Sequence, residues 1–256
     1  MKYRKHFTAI IVITPVVALL TYLVLNAIYK LPIAASEEAV IIEDMFQAHF
    51  ILISALFALV MTFMFYSIFA FRRQPGDEED GDHFHGNTVL EIVWTVVPLV
   101  IVLFFGYWGA VMLSDITAPE PDEMVVEVYG QQWSWYYIYP EMDDMRTSEL
   151  VLPAGEQIRL EMTALDVLHS FWVPEFRVKQ DLVPGQIHHL RITPTIPGEY
   201  RLRCAEICGV QHAYMLGDVI VLSPDEFEEW VEESELAGEP VPAPRTESSV
   251  AGTPAD

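Results

Sequence analysis

One stretch of the chain reads Cys204-Ala-Glu-Ile-Cys208-Gly-Val-Gln-His212-Ala-Tyr-Met215. Two thiols, an imidazole and a thioether fall within twelve residues. Thiolate and thioether select copper, and imidazole suits it as well. A single electron-transfer copper takes one Cys, two His and a weak axial Met. A second Cys allows another arrangement, in which two thiolates bridge two copper ions and each ion takes one His and a weak outer ligand. That requires a second histidine. His169, in Asp166-Val-Leu-His-Ser-Phe-Trp-Val-Pro174, is the best candidate, lying between strand-like segments and beside aromatics that would keep water off a metal. Tetrahedral structural zinc sites rarely employ Met, which disfavours zinc. With no Cys-x-x-Cys-His in the chain, a c-type haem is excluded.

Each residue has a plainer reading. Cys204 and Cys208 can form a disulfide or sit as reduced core thiols, His212 can be a surface histidine, and Met215 can be core packing. The joint spacing after a strand, with His-Ser-Phe upstream, favours the metal.

A β framework is expected to position these residues. Met124 to Tyr129 is rich in β-branched and aromatic residues, and Gln157 to Met162 alternates polar and apolar. His188 to Ile192, Tyr200 to Cys204 and Asp218 to Leu222 read the same way. Pro153-Ala154-Gly155, Val183-Pro184-Gly185 and Ile196-Pro197-Gly198 punctuate them as turns. Short strands at this spacing imply an all-β sandwich or barrel of about 110 residues. Ser223-Pro224-Asp225-Glu226 then opens a helix with a capping box, and Phe227, Trp230 and Val231 share its apolar face.

Ahead of this region lie three apolar runs, His6 to Tyr29, His49 to Phe71 and Val89 to Leu113. Each has the ~20 residues a membrane-crossing helix needs. The first run is either a retained helix or a secretory signal with Ala34-Ala35-Ser36 as the cleavage site. Its length exceeds the ~7–15 apolar residues of such signals, which favours retention. Lys2, Arg4, Lys5, Arg72 and Arg73 belong on the inner side, with the acidic loop Asp77 to Asp82, so the β region lies outside. The expected divisions are 1–30 for the first helix or uncleaved signal, 45–113 for a helical hairpin, 114–236 for the outer domain and 237–256 for a disordered acidic tail.

The net charge is −23, although 52% of residues are apolar. From Ser114 onward there are 27 Asp or Glu against 8 Lys or Arg. Such a surface repels nucleic acid and attracts basic proteins or cations. It also suits general solubility or a salty medium, and these uses can coexist.

The metal-ligand stretch resembles the dinuclear copper loop of cytochrome c oxidase subunit II, Cys-Ser-Glu-Ile-Cys-Gly-x-x-His-x-x-Met, departing only at Ala205. His85-Gly-Asn-Thr-Val-Leu-Glu91-Ile-Val-Trp94-Thr-Val-Val-Pro98 resembles the start of that family's last transmembrane helix. Gly130-Gln-Gln-Trp133-Ser-Trp135 resembles its aromatic run, with Ser134 in place of a common Tyr. The likeness covers roughly residues 45 to 235.

The resemblance implies a cupredoxin-like Greek-key sandwich carrying a dinuclear copper centre. In it Cys204 and Cys208 bridge both ions, His169 and His212 bind one each, and Met215 and the Glu206 carbonyl are weak axial ligands. The Glu206 side chain would face a magnesium ion shared with subunit I. Trp133 falls at the electron-input tryptophan, against the plainer reading of core or interface packing. Glu91 falls at the mouth of a proton-uptake path, against the plainer reading of an acid stabilised by a helix dipole.

The implied protein is an integral component of a prokaryotic plasma membrane with its copper domain on the extracytoplasmic face. It would take electrons from cytochrome c or a small copper protein and relay them to haem in subunit I, where oxygen is reduced and protons are pumped, with subunit III as a further partner. Glu141, Asp143, Asp144 and Asp166 are candidate donor-docking acids. A quinol oxidase subunit II would lack the copper ligands, and nitrous oxide reductase is much longer. A copper subunit of a nitric oxide reductase and a non-catalytic membrane protein with a disulfide-bonded sandwich remain as alternatives that metal content and partner separate.

Overall fold

The structure is a computed structural model that describes residues 2–76 and 85–244. It divides into two compact units, Met1–Leu31 with Asp44–Val111, and Pro32–Glu43 with Met112–Asp256. The expected acidic loop Asp77 to Asp82 lies outside the described residues.

The first unit is helical. Helices α1 (Lys2–Ile28), α2 (Glu37–Ala70) and α3 (Thr88–Ile116) are each long and apolar enough to cross a membrane. α1 meets α2 through a His6 to Tyr66 hydrogen bond of 2.8 Å and a Tyr22 to Gln47 bond of 3.4 Å. α3 meets α2 where the His49 and Phe105 rings approach to 4.4 Å. α2 begins at Glu37 rather than near residue 45. Ser36 Oγ accepts from the Ala39 amide at 3.1 Å, and Glu37 and Glu38 favour the positive end of the helix dipole. Those acids are why apolarity alone set the start too late.

The second unit is the expected sandwich. Among the described residues ten strands follow α3: β1 (Met124–Gln131), β2 (Ser134–Tyr139), β3 (Met145–Thr147), β4 (Leu150–Pro153), β5 (Ile158–Ala164), β6 (His169–Trp172), β7 (Lys179–Leu182), β8 (His188–Ile192), β9 (Gly198–Cys204) and β10 (Leu216–Leu222). They form two five-stranded sheets, β3-β2-β1-β5-β8 and β4-β10-β9-β6-β7. Along β1 and β5 every second residue is buried, so Val126, Val128, Leu160 and Met162 pack inward. Tyr139 is 1% exposed, and its hydroxyl donates to the Val151 carbonyl at 2.9 Å while accepting from the Val151 amide at 2.8 Å. That reciprocal pair satisfies a buried phenol and ties β2 to β4.

The segment Pro32–Glu43 belongs to this unit. The Ala35 amide donates to the Glu175 carbonyl at 3.0 Å, and the buried Glu38 carboxylate accepts from the Thr193 amide at 3.1 Å. Ala35 and Ser36, read from sequence as a cleavage-like pair, are both 0% exposed.

Helix α4 (Pro224–Ala237) carries the predicted capping box. Ser223 Oγ accepts from the Glu226 amide, and the Glu226 carboxylate accepts from the Ser223 amide at 3.0 Å. Beyond it the chain is not the disordered tail expected from residue 237. Gly238 takes φ 69° and turns the backbone, Trp230 Nε1 donates to the Val241 carbonyl at 2.9 Å, and Ala243 is 4% exposed. Composition concealed this because the anchors are one indole and two small apolar residues. The remainder of the expected tail, 245–256, lies outside the described residues.

Glu123 locks the start of β1 to β5 and β8. Its carboxylate accepts from Arg191 Nε at 2.6 Å and from Arg159 Nη1 at 2.8 Å. The Arg191 bond outweighs burial and, with the charges of Arg191 and Arg159, holds the carboxyl below its ordinary 4.5. The folded unit therefore binds this proton less well than the unfolded chain. The contribution is full above the ordinary value and fades as pH falls through the lowered one. Glu123→Gln is expected to destabilise this unit by about 1–2 kcal/mol at neutral pH. The gap from the parent should close in acid, as urea unfolding at the two pH values would show.

Candidate metal centre

Antiparallel pairing of β6 with β9 sets Cys204 opposite Phe171, two residues from His169. β9 ends at Cys204 and β10 starts directly after Met215, and the Cys204 amide donates to the Met215 carbonyl at 3.1 Å. The intervening loop is thus pinched at its base and folds back over the end of the sandwich.

All the predicted ligand atoms converge. Cys204 Sγ lies 3.9 Å from His169 Nδ1, 3.8 Å from Cys208 Sγ and 3.3 Å from the Glu206 carbonyl oxygen. Cys208 Sγ lies 3.7 Å from His212 Nδ1 and 3.7 Å from Met215 Sδ. The two thiols are not bridged to each other. His169 and Met215 are fully buried, Cys208 is 3% exposed and Cys204 is 9% exposed. Burial first, and then the neighbouring Cys204, pushes the Cys208 thiol up to about 11. A cation reverses that preference, because metal binding requires the thiolate. Two thiol sulfurs 3.8 Å apart, the first beside an imidazole nitrogen and a carbonyl and the second beside an imidazole nitrogen and a thioether, form a donor set that fits a soft metal.

His169 is fixed from behind. Its Nε2 is 2.8 Å from Asp166 Oδ1, which leaves Nδ1 facing the sulfur. Burial alone would raise Asp166, but the His169 bond and the amides of Gln132 and Val167 outweigh it and hold the carboxyl below its ordinary value. The ring also needs Gly130 opposite, since a methyl there would stand 3.2 Å from His169 Cδ2. Trp135 meets the imidazole edge-on with ring centroids 6.1 Å apart.

Trp133 sits in the β1–β2 turn against this loop: a methyl at Gly209 would stand 3.2 Å from its indole. Glu91 is not in the cluster. It lies in the first turn of α3, in the helical unit, where Asn87 Oδ1 caps the Leu90 amide at 3.1 Å. Of the four candidate docking acids only Asp166 is at the metal end. Glu141, Asp143 and Asp144 follow the far end of β2, whose six residues span about 20 Å. β2 runs away from the site and so separates them from Trp133. Sequence reading also passed over Asp166 as the histidine's partner and Gln132 as a loop contact. Only Asp166 left a signal, three residues ahead of His169.

Residues 24–109 match the family profile described as cytochrome C oxidase subunit II, transmembrane domain, and residues 146–223 match its periplasmic domain. Cytochrome c oxidase subunit 2 of Alkalihalophilus pseudofirmus is 37% identical over 71% of this chain, and the alignment spans only 55% of that relative. The Thermostichus vulcanus protein of the same name is 32% identical over 84% of this chain and 81% of its own length. Among solved structures, the periplasmic domain of cytochrome oxidase subunit II from Bradyrhizobium japonicum is 30% identical, with a TM-score of 0.44, over 46% of this chain and 97% of its own. With both profiles matched in order and a relative aligned over most of its length, this membrane protein belongs to the cytochrome c oxidase subunit II family.

Proposed function

We propose that this chain is the electron-accepting subunit of a proton-pumping cytochrome c oxidase, with a dinuclear copper centre held by Cys204, Cys208, His169, His212, Met215 and the Glu206 carbonyl. The observation that carries this reading is that the two sulfurs lie 3.8 Å apart and each of the other four donor atoms lies 3.3–3.9 Å from one of them. Copper, when bound there, supplies a one-electron couple. The residues of the chain supply the rest. Asp166 keeps His169 in one tautomer and one orientation. Trp135 and Phe171, both buried, keep water from the inner side of the site. Trp133 offers a conjugated ring against the loop for a docked donor, either cytochrome c or a small copper protein.

The electron passes on to haem in subunit I, in a complex that also holds subunit III. The exposed Glu206 side chain would face a magnesium ion shared with subunit I. Glu91, at the start of α3, serves as the entrance of a proton path. The assembly sits in a prokaryotic plasma membrane with the sandwich on the extracytoplasmic side.

Stopped-flow mixing of the copper-loaded full-length protein with reduced cytochrome c tests the role. Rapid oxidation of the donor is expected, and Trp133→Phe should slow it without loss of metal. A copper-loaded protein that leaves the donor reduced would contradict the proposal. Asp166→Ala removes the carboxylate behind His169 and is expected to weaken copper binding about 10–100-fold, measured by chelator competition.

A further inference from the structure

We propose that Gln132 and Gly209 are positioning residues for electron input, holding the Trp133 indole against the Cys208–Gly209 peptide so that the route into the centre runs through Cys208. This rests on the copper reading above. No hydrogen bond fixes the indole: Trp133 Nε1 is enclosed and makes none among the described residues, and the ring is held by packing. What the ring touches therefore sets its place. Gly209 has φ 132°, a conformation that side chains rarely adopt, and a methyl there would stand 3.2 Å from Trp133 Cζ2 and Nε1 and 3.0 Å from Gln132 Nε2. The missing side chain is what lets the ring close on the loop.

Gln132 holds the other side of the contact. Its side-chain amide donates to the Cys208 carbonyl at 2.7 Å, and its backbone amide donates to Asp166 Oδ2 at 2.7 Å. Asp166 in turn holds His169 at 2.8 Å. The turn that presents Trp133 is thus tied to both halves of the ligand set, through Cys208 on one side and His169 on the other. In the step served, one electron leaves the reduced donor protein and arrives at the metal centre. No bond forms or breaks, and the indole ends unchanged.

The test uses full-length protein labelled with 5-fluorotryptophan. The Trp133 fluorine resonance is assigned as the one absent from Trp133→Phe. In copper-free protein, Gln132→Glu, which keeps the size but loses the donor, and Gly209→Ala should each move that resonance and leave those of the other five tryptophans in place. In copper-loaded protein the limiting rate of reduction by cytochrome c should fall roughly tenfold, because small misplacements of a reacting pair are costly. The half-saturating donor concentration and the copper content should stay as in the parent.

An unmoved Trp133 resonance, or a moved one with an unchanged limiting rate, overturns the proposal. So does loss of copper from both variants, which would make these residues supports for the loop alone. If the parent itself takes up no copper, the reading beneath fails, while the fluorine measurement still decides whether the two residues place the indole.

Discussion

Cys208→Ser is expected to strip copper from the protein while leaving the fold in place. Cys208 Sγ is the hub of one half of the site: Cys204 Sγ at 3.8 Å, His212 Nδ1 at 3.7 Å and Met215 Sδ at 3.7 Å all converge on it. Removing it leaves His212 and Met215 without their sulfur partner and leaves Cys204, with His169 and the Glu206 carbonyl, without the second sulfur. Serine nearly preserves the volume but offers a hard oxygen that does not ionise under these conditions, whereas copper favours the soft thiolate. Changes to residues behind metal ligands already cost about 10–100-fold in affinity, and loss of the shared ligand should exceed the upper end of that range. The position is 3% exposed, so a buried hydroxyl costs about 1–3 kcal/mol, too little to unfold the sandwich. Copper per chain after desalting, beside thermal unfolding of the copper-free protein, separates lost ligation from lost structure. Retained copper in a folded variant would place the metal elsewhere.

Trp230→Ala is expected to have the largest effect on stability. The indole is 2% exposed, packs edge-on against Tyr139 at 5.8 Å and lies tilted against Phe227 at 5.6 Å. Its Nε1 also holds the Val241 carbonyl at 2.9 Å. Truncating a buried aromatic of this size costs about 3–5 kcal/mol. For a unit of this length that lowers the midpoint by about 10–15 °C. The loss should include protection of the Val241 segment, so proteolysis C-terminal to α4 should quicken in parallel. Because Tyr139 lies at the far end of β2 from Trp133, copper binding in the cold should survive. A variant that loses copper at low temperature yet keeps its midpoint would show that the two ends of β2 are coupled in a way the packing does not explain.

The candidate metal loop was legible because its chemistry is local: four ligand side chains of three types within twelve residues of chain. β8 was read at its observed bounds, and α4 at its observed start, because alternation and a capping box are short-range signals. β2 escaped notice as a strand. Trp135, Tyr137 and Tyr139 point inward while Tyr136 and Ile138 half-cover the outer face, so the run is apolar on both sides and shows no alternation. β6 was hidden by His169 and Ser170, polar residues that are buried for reasons of site construction. The distant partners of the site, Gln132 beside Cys208 and Asp166 beneath the same turn, come together only when β1, β2, β6 and β9 meet at one end of the sandwich. No spacing in the chain encodes that meeting.

In the proposed centre two sulfurs on one loop, with imidazoles from that loop and from β6, hold a pair of coppers, and one measurement bears on this arrangement above others. Electron paramagnetic resonance of the copper-reconstituted full-length protein, read beside its copper-to-chain ratio, reaches it most directly. Two coppers per chain and one unpaired electron whose hyperfine splitting is shared by both nuclei are expected. A single zinc, one isolated copper, or a metal-free protein with Cys204 disulfide-bonded to Cys208 would contradict it.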